Sequence, residues 1–269
     1  MPRAEVEWAS VSTAFSKQSA HFDDDDFANP VLRQWREQVY KHVDAFIKPE
    51  SFILELNSGT GIDALRFASK GHRIHATDLS AGMIGTLKKK ISQADLYNRI
   101  SVQQVSFEKL QDVNGNFDFV FSNFGGLNCS PDLKVVVKEL PRLLAPGAYV
   151  TLVIMPPVAP WEWSWVLKGK FNDAFRRLKK TASAHLENEY FSAFYYSLSD
   201  LTDTFGSQFQ LVRTEALGVF SPPPASTQFV KKYPVIAKFL TRLDHAVKDR
   251  FPFNRWGDHI IVTFQFISR

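Results

Sequence analysis

The 269-residue sequence predicts an α/β fold built on a doubly wound, mostly parallel seven-stranded sheet. Two observations support this prediction. Short apolar runs of strand length alternate along the chain with longer segments whose apolar residues recur at helical spacing. In addition, acidic, amide and hydroxyl side chains directly follow several of the apolar runs, at the carboxyl ends where parallel sheets bind ligands. Both features are typical of parallel strands joined by right-handed helical crossovers.

The first part of the chain alternates helices and strands in the order expected for such a sheet. Asn29 followed by Pro30 predicts the start of a helix. Gly71 is predicted to end the helix after the first strand, Ser80 to cap the next helix, and Pro141 to break the fourth. The predicted strands are 52–56, 73–77, 100–105, 118–122 and 148–155. The predicted helices are 30–47, 62–70, 81–94 and 130–140.

The pattern changes after the fifth strand, where Pro156 and Pro157 end the apolar run. Ser199 is predicted to cap a short helix in the region that follows. The predicted elements are a helix over 161–180, a strand over 190–198, a helix to 205, a strand over 208–220, a helix over 226–248 and a strand over 258–267. We therefore divide the chain into an N-terminal cap over 1–50, a core over 51–155, an inserted lid over 156–200 and a C-terminal part of the sheet over 201–269.

The composition excludes some classes of protein. A hydrophobic fraction of 45% is sufficient for a buried core. No apolar run approaches the length of about 18 residues that predicts a transmembrane helix. The segment Met1–Ser19 lacks the apolar centre of a secretory signal, and the single Cys129 excludes an intramolecular disulfide. We therefore expect a cytoplasmic protein without a membrane partner.

The chain is mildly basic, with a net charge of +4 and an isoelectric point of about 9.0. The basic runs are interpreted as solvated helix faces, and without a recognisable RNA-binding module they predict no nucleic-acid partner. These runs are Lys88–Lys90, Arg176–Lys180 and Lys231–Lys232. The acidic run Asp23–Asp26 is interpreted as an exposed loop, and no metal site is predicted because further ligands cannot be assigned. The oligomeric state stays open.

The most informative segment covers residues 53–61, an apolar strand that carries Glu55 near its end and continues into a turn of small residues. A helix is predicted from Ile62, and the next strand ends in Asp78. A strand, a glycine turn, a helix and a second strand ending in an acid are typical of a nucleoside site. The glycines allow a ligand to approach the backbone closely, and Asp78 can accept hydrogen bonds from both ribose hydroxyls.

Glu55 distinguishes between two kinds of cofactor. The pattern Gly59-x-Gly61-x-x-Ala64 also fits the turn of dinucleotide sites, but that turn faces a pyrophosphate, which a carboxylate would repel. S-adenosylmethionine has no phosphate, and its methionine part carries a positive ammonium and a positive sulfonium. Because the carboxylate of Glu55 attracts both, the sequence favours S-adenosylmethionine.

Four further segments follow this turn in a characteristic order. The five together are Glu55-x-Asn57-x-Gly59-x-Gly61, Ala76–Ser80 with Met83, Val105–Leu110, Phe117–Phe124 and Leu143–Ala148. In this order they resemble the motifs of class I S-adenosylmethionine-dependent methyltransferases of the small-molecule type. The resemblance covers roughly residues 50–155 and implies a Rossmann-like fold and methyl transfer. The cofactor contacts that it implies are Glu55, Asn57, Gly59, Gly61, Asp78, Leu79, Met83, Ser106, Phe107, Asn123 and Phe124.

Two positions depart from the pattern of that family. Asn57 stands where the first glycine of the motif is usual, and Ser106 stands where an aspartate often contacts adenine. Asn adopts a positive φ more readily than most residues, so the turn can still form. The hydroxyl of Ser106, or the backbone amide of Phe107, can take the place of the aspartate.

Aromatic residues, which make up 14% of the chain, concentrate outside the cofactor half. Trp161 and Tyr195 are the predicted substrate contacts, because aromatic side chains suit an apolar or planar acceptor. Residues 15–22 resemble the segment that closes over the cofactor in small-molecule methyltransferases, and His21 within it is the predicted general base. His259, at the start of the last strand, is a second candidate.

The predicted activity is therefore methylation of a small-molecule acceptor on oxygen or nitrogen. After Asn123 the chain continues Phe124-Gly125-Gly126, which differs from the Pro-Pro-Tyr/Phe of enzymes that methylate amino groups of nucleobases or glutamine. Three alternatives remain: a non-catalytic S-adenosylmethionine-binding protein, a dinucleotide-dependent oxidoreductase and an RNA methyltransferase.

Overall fold

Seven strands form the central sheet of the computed structural model, which describes residues 8–267. The strands of the chain are β1 (Phe52–Leu56), β2 (Arg73–Asp78), β3 (Ile100–Gln104), β4 (Phe117–Ser122), β5 (Leu144–Ile154), β6 (Thr181–Leu186), β7 (Glu189–Phe194), β8 (Phe209–Leu217) and β9 (His259–Phe266). The spatial order of the sheet is β3-β2-β1-β4-β5-β9-β8, while β6 and β7 form a separate hairpin. Residues 1–7 of the predicted N-terminal cap lie outside the described part of the chain.

Strands β1 to β5 run parallel, and β9 lies between β5 and β8 and antiparallel to both. Glu55 of β1 is in register with Ala76 of β2 and with Phe121 of β4. The carboxyl ends of these three strands therefore meet at one edge of the sheet. The predicted doubly wound, mostly parallel seven-stranded sheet is confirmed.

Helices cover both faces of the sheet. They are α1 (Trp8–Gln18), α2 (Phe22–Ala28), α3 (Pro30–Val43), α4 (Ile62–Ser69), α5 (Ala81–Ala94), α6 (Lys134–Val137), α7 (Leu140–Leu143), α8 (Pro160–Trp163), α9 (Phe171–Ala174), α10 (Leu198–Phe205), α11 (Thr227–Lys232) and α12 (Pro234–Val247). Phe67 of α4 and Leu87 of α5 are buried in the core on one face, and Leu140 of α7 and Leu201 of α10 in the core on the other. None of the helices within residues 8–267 combines the length and apolar character needed to span a bilayer.

Two predicted helix caps are present. The side chain of Asn29 accepts hydrogen bonds from the amides of Val31 at 3.1 Å and Leu32 at 3.3 Å, which starts α3. The hydroxyl of Ser80 accepts from the amide of Met83 at 3.2 Å and starts α5. Each cap satisfies amides that have no partner within the helix, so the sequence signal and the helix start coincide.

The acidic run Asp23–Asp26 lies in α2, so the prediction of an exposed loop was wrong. Asp26 is buried and accepts a hydrogen bond from Nη2 of Arg36 at 2.6 Å. Asp23 accepts from the hydroxyl of Thr60 at 2.5 Å. A run of four acids suggested exposure, but the donors that stabilise it are supplied by later parts of the chain.

The region between β5 and β7 also differs from its prediction. Four short turns, with ends at Gly169 and Lys180 in left-handed conformations, replace the continuous helix expected over 161–180. Strand β7 is shorter than the predicted 190–198, and it pairs with β6, which was not predicted. The alternating small and polar residues of β6 carry a weak strand signal, and the pairing with β7 decides the conformation.

Two helix boundaries were also predicted wrongly. Ser197, not Ser199, caps α10: its hydroxyl accepts from the amide of Asp200 at 3.1 Å, and Asp200 accepts from the amide of Ser197 at 2.9 Å. The single helix expected over 226–248 is divided into α11 and α12 at Tyr233-Pro234. A proline has no amide hydrogen and pushes the preceding residue out of the helical region, so the first helix must end there.

A buried ionic cluster joins α3 to the antiparallel end of the sheet. Glu215 of β8 lies 2.9 Å from Nδ1 of His42 and also pairs with Lys248. Nε2 of His42 lies 2.8 Å from the hydroxyl of Thr263. Burial lowers the pKa of His42, so a neutral ring donates to Glu215 from Nδ1 and accepts from Thr263 at Nε2. Burial alone would raise the pKa of Glu215, but hydrogen bonds from His42 and Lys248 outweigh it and lower the pKa to about 2.

We predict that Glu215→Gln lowers the free energy of unfolding at neutral pH by about 1–3 kcal/mol, because Lys248 and His42 lose a charged, buried acceptor. The pKa of Glu215 in the folded protein lies below its ordinary value. Its stabilising contribution is therefore complete above the ordinary glutamate pKa and is lost as the pH falls toward about 2. Urea unfolding at neutral and acidic pH measures both effects, and the Gln variant should lack this part of the acid dependence.

Glu37→Gln is the matched control, because Glu37 is an exposed residue of the same α3 helix. We expect its unfolding free energy to stay within about 0.5 kcal/mol of the parent protein. Equal losses in the two variants would contradict a stabilising contribution of the buried cluster.

Candidate functional site

A cavity of about 400 Å³ opens at the carboxyl ends of β1, β2 and β4. Asn57, Asp78 and Asn123 line it, and each stands at or directly beyond the end of its strand. Helix α1 and the β6–β7 hairpin form the opposite wall. This is the edge at which parallel sheets bind ligands, because helix starts and loops leave backbone groups free there.

The turn after β1 brings the backbone to the cavity. Asn57 has a φ of +48° and Gly59 a φ of +55°, so both residues adopt left-handed conformations. The side chain of Asn57 accepts from the hydroxyl of Ser122 at 2.6 Å and donates to the carbonyl of Asn123 at 3.0 Å. Asn57 thus replaces the usual glycine and also ties the end of β1 to the end of β4. A Cβ on Gly126 would collide with the Asn57 side chain, so only a glycine fits at position 126.

Asp78 presents a fixed carboxylate to the cavity. Its Oδ2 accepts from the amide of Gly59 at 2.9 Å and its Oδ1 from the amide of Ser80 at 2.8 Å. Burial raises the pKa of Asp78, although these amide hydrogen bonds oppose the rise. Each carboxylate oxygen can accept a further hydrogen bond, so two ligand hydroxyls can bind side by side.

Glu55 is buried directly behind the cavity lining, with 2% of its surface exposed. Its Oε2 has no hydrogen-bond partner within residues 8–267. Burial raises the pKa of Glu55 well above its usual range, and the nearby carboxylates of Asp63 and Asp78 add to this, while Arg36 opposes it. The region is therefore short of positive charge. An unpartnered buried carboxylate oxygen beside a nucleoside-type turn fits a cationic ligand such as S-adenosylmethionine.

Asp63, in the first turn of α4, was not among the predicted site residues, yet it organises this edge. Its Oδ1 accepts from Nη1 of Arg36 at 2.7 Å and from the hydroxyl of Tyr40 at 2.6 Å. Its Oδ2 accepts from Nδ2 of Asn123 at 2.8 Å. Arg36 and Tyr40 lie four residues apart on α3, and a charged residue on the apolar side of that predicted helix was the signal available in the sequence.

The structure brings most of the predicted cofactor residues to the cavity. Those that line it are Asn57, Gly59, Asp78, Leu79, Met83, Phe107, Asn123 and Phe124. Glu55, Gly61 and Ser106 lie behind the lining. Gly61 starts α4 with a φ of +83°, and a Cβ at this position would collide with Leu87. The hydroxyl of Ser106 accepts from the amide of Glu108 at 3.2 Å and caps the turn that carries Phe107.

The predicted substrate residues lie outside the cavity lining. The ring of Trp161 packs edge-on against Phe229, with centroids 5.2 Å apart. Tyr195 is buried beneath the guanidinium of Arg177, which lies 5.3 Å from the ring centroid. His259, the second candidate for the general base, is also absent from the lining, and its ring is in edge contact with that of Phe124 at a centroid distance of 5.8 Å. These three aromatic side chains pack against residues around the cavity and do not line it.

Aromatic and aliphatic residues that were not predicted form the far wall. Trp8 of α1 packs edge-on against Phe107 with centroids 5.6 Å apart. Phe15 of α1, in the segment expected to close over the cofactor, lies 6.0 Å from Phe191 of β7. The remaining hairpin residues in the lining are Ala184, Leu186 and Ala193. The wall opposite the polar turn is therefore apolar.

His21, the predicted general base, lies at the surface and joins α2 to the hairpin. Its Nδ1 lies 2.6 Å from Oδ2 of Asp25 and its Nε2 lies 3.0 Å from Oε1 of Glu187. The hydrogen bond to Asp25, together with Glu187, raises the pKa of His21. Nearby, Nζ of Lys17 donates to Glu189 at 2.8 Å. These contacts connect the N-terminal helices with the turn between β6 and β7.

We predict that His21→Gln increases hydrogen exchange of the hairpin amides over 184–193, because the ionic contact with Glu187 is lost. The pKa of His21 is raised in the folded protein, so the charged contact is present at low pH and disappears as the pH rises through that pKa. Protection of the parent hairpin, corrected for intrinsic exchange, should fall between roughly pH 6 and pH 8.

The Gln variant should show low protection at both pH values. His245→Gln, an exposed histidine on α12, is the control and should behave like the parent protein. Parent-like protection of the His21→Gln hairpin at the lower pH would show that His21 does not hold the hairpin.

Comparison with known proteins points to one family. Residues 53–147 match the family described as "Methyltransferase domain". A "Ubiquinone/menaquinone biosynthesis C-methyltransferase UbiE" of Rickettsia akari is 27% identical over 175 residues, which are 62% of this chain and 65% of that relative. The match thus spans slightly less than two thirds of the relative's length.

Solved structures share the fold. A 1,6-didemethyltoxoflavin-N1-methyltransferase of Burkholderia thailandensis, with 1,6-didemethyltoxoflavin and S-adenosylhomocysteine bound, superposes with a TM-score of 0.60 at 14% identity, covering 100% of this chain and 93% of that one. The [4+2]-cyclase SpnF superposes with a TM-score of 0.63 at 13% identity, covering 96% of each chain.

Proposed function

Because residues 53–147 form a methyltransferase domain of the class I, S-adenosylmethionine-dependent type, we propose that the protein methylates a small, mainly apolar acceptor. One observation carries this proposal: a cavity with a carboxylate-rich, nucleoside-type turn on one side has an apolar wall on the other. A charged cofactor and an apolar acceptor can therefore lie side by side in one cavity.

The polar side of the cavity would hold the cofactor. Asp78 would accept the ribose hydroxyls, Leu79 and Met83 would flank the adenine, and Glu55 would attract the positive methionine part. When bound, S-adenosylmethionine supplies a methyl group made electrophilic by the positive sulfur. The glycine turn allows close approach of the backbone, and the hairpin and α1 would shield the reacting groups from water.

The apolar side would hold the acceptor. Trp8, Phe15, Phe107 and Phe191 provide flat apolar surfaces, which suit a planar or aliphatic molecule better than a charged one. Asn128, whose amide donates to the carbonyl of Phe194 at 2.5 Å, fixes the hairpin against the end of β5. These contacts would orient the acceptor toward the cofactor, which is the main requirement for methyl transfer.

The titratable groups that line the cavity limit how the acceptor loses its proton. Asp63 and Asp78 are held by the hydrogen bonds described above, and Arg36 is a cation. Burial, with a smaller effect of Asp78, raises the pKa of the Cys129 thiol to about 12, so the thiol stays protonated. We infer an acceptor atom that is nucleophilic without a protein base, such as an ionised oxygen, an amine or an activated carbon.

The named relatives support a range of acceptor atoms. One is named a C-methyltransferase of ubiquinone and menaquinone biosynthesis, and another a 1,6-didemethyltoxoflavin-N1-methyltransferase. Oxygen and nitrogen, the atoms favoured from the sequence, therefore stand beside carbon in our proposal. The fold alone does not require methyl transfer, since it also occurs in a protein named as a cyclase.

We predict that Asp78→Ala weakens binding of S-adenosylhomocysteine at least about tenfold, a loss near 1.4 kcal/mol, because the ribose hydroxyls lose their acceptor. Calorimetric titration measures the change. Asp203→Ala, which removes an exposed carboxylate from α10, should leave the affinity unchanged. Equal affinity of the Asp78 variant and the parent protein would remove the ribose assignment.

Turnover with methyl-labelled S-adenosylmethionine tests the activity itself. The parent protein should transfer label to apolar phenols, heteroaromatic amines or quinone-like carbon acids, and more slowly to polar analogues of the same size. Binding of S-adenosylmethionine without transfer to any member of this panel would favour the non-catalytic alternative. Binding of NAD instead of S-adenosylmethionine would overturn the proposal.

A further inference from the structure

Helix α12 carries apolar side chains on the side that faces away from the protein. Val235 and Phe239, one turn apart, are 80% and 64% exposed, and Ile236 is half exposed. On the inner side only Ala237 and Asp244 are buried. An amphipathic helix normally turns its apolar stripe toward the core. Because this stripe is exposed instead, it has no partner within residues 8–267.

Basic residues surround this stripe. Lys238 and Arg242 follow one another on one flank of α12, and Lys231 and Lys232 precede the helix. None of these four forms a salt bridge with the residues of the described chain. Over 227–256 the sequence holds seven Lys and Arg but two Asp and Glu, whereas the whole chain holds 32 and 28. The stripe thus lies in a basic part of a nearly balanced protein.

The segment over 160–180 packs against this region and also exposes apolar side chains. Leu167 is 90% exposed and Phe171 is 60% exposed. Arg176, Arg177 and Lys180 of this segment are held in ion pairs. The exposed Lys168, Lys170 and Lys179 form no salt bridge with the described residues and supply its free positive charge. Trp161 contacts Phe229, and the rings of Trp163 and Trp256 lie 6.5 Å apart, so the two segments are in direct contact. We call residues 160–180 and 227–256 together the basic apolar face.

We propose that the basic apolar face docks the protein peripherally on an anionic lipid bilayer. Exposed Val, Ile, Leu and Phe can enter the boundary between headgroups and acyl chains, while lysine and arginine beside them bind anionic headgroups. A second copy fits less well, because two such faces in contact would bring together like charges. RNA would use the basic residues but gains nothing from Val235, Leu167 or the aliphatic part of α12.

This proposal is independent of the proposed methyl transfer, because neither cofactor nor acceptor takes part in the contact. The expectation of no membrane partner was based on the lack of a spanning helix, which a peripheral contact does not need.

Flotation of the full chain with vesicles tests the docking. The parent protein should float with vesicles of phosphatidylcholine and phosphatidylglycerol, bind poorly to phosphatidylcholine alone, and dissociate at high salt. The double variant Val235→Asp with Phe239→Asp should lose at least about tenfold in affinity, and so should Lys238→Glu with Arg242→Glu. All four side chains are on the exposed part of α12, and circular dichroism checks that the variants fold.

Tyr97→Asp is the matched control. Tyr97 is 66% exposed and precedes β3, at the opposite edge of the sheet from β8. This variant should bind vesicles like the parent protein. Lack of parent binding to anionic vesicles, or parent-like binding by both double variants, would overturn the proposal. A parent protein that is dimeric in light scattering, with only the Val235/Phe239 variant monomeric, would also overturn it. Salt-sensitive binding of RNA without binding of vesicles would do the same.

Discussion

A cluster of buried carboxyl groups at the carboxyl ends of β1 and β2 determines the arrangement of this site. Glu55, Asp63 and Asp78 lie close enough to influence one another, and Arg36 is the cation that opposes them at Glu55. Like charges in a region of low polarity are costly unless hydrogen bonds or cations compensate them. The compensation is complete at Asp63, is provided by backbone amides at Asp78, and is missing at one oxygen of Glu55.

The same charges explain why the N-terminal helices are attached to the sheet. Arg36 reaches from α3 to both Asp26 of α2 and Asp63 of α4, and its guanidinium lies 4.9 Å from the ring centroid of Phe124. The N-terminal helices are therefore fixed at the point where the cavity begins. Helix α1 directly precedes this anchored part of the chain and, together with the hairpin, supplies the apolar wall. Cofactor side and acceptor side are thus parts of one connected structure.

The sequence predicted the half of the molecule whose signals are local. The strands, the caps at Asn29 and Ser80, and the glycine turn each depend on a few neighbouring residues, and the structure contains all of them. The acceptor side depends on contacts between distant parts of the chain. Arg36 and Asp63 are 27 residues apart, and the segments that carry Lys17 and Glu189 are separated by 172. No local pattern indicates such pairs.

The errors have the same origin. Trp161 and Tyr195 were chosen as substrate contacts because aromatic residues suit an apolar pocket, but the structure places them against Phe229 and Arg177. The residues that line the apolar wall include small ones, such as Ala184 and Ala193, which carry no chemical signal in the sequence. The sequence pattern led to the sheet edge at which the cavity lies. The apolar wall required the three-dimensional pairing of β6 with β7 and with α1.

The contact between Asn57 and Gly126 has a consequence for how this chain can change over evolutionary time. The side chain of Asn57 occupies the space that a side chain at position 126 would need, and a glycine at position 57 would leave that space open. The order of substitutions at the two positions therefore matters. A side chain at position 126 is excluded as long as Asn57 is present, and because the Cβ of residue 57 would itself lie 2.8 Å away, it becomes admissible only after position 57 has lost its whole side chain. Such a pair is epistatic. The departure from the glycine-rich motif at position 57 therefore requires the glycine of a loop 69 residues further along the chain.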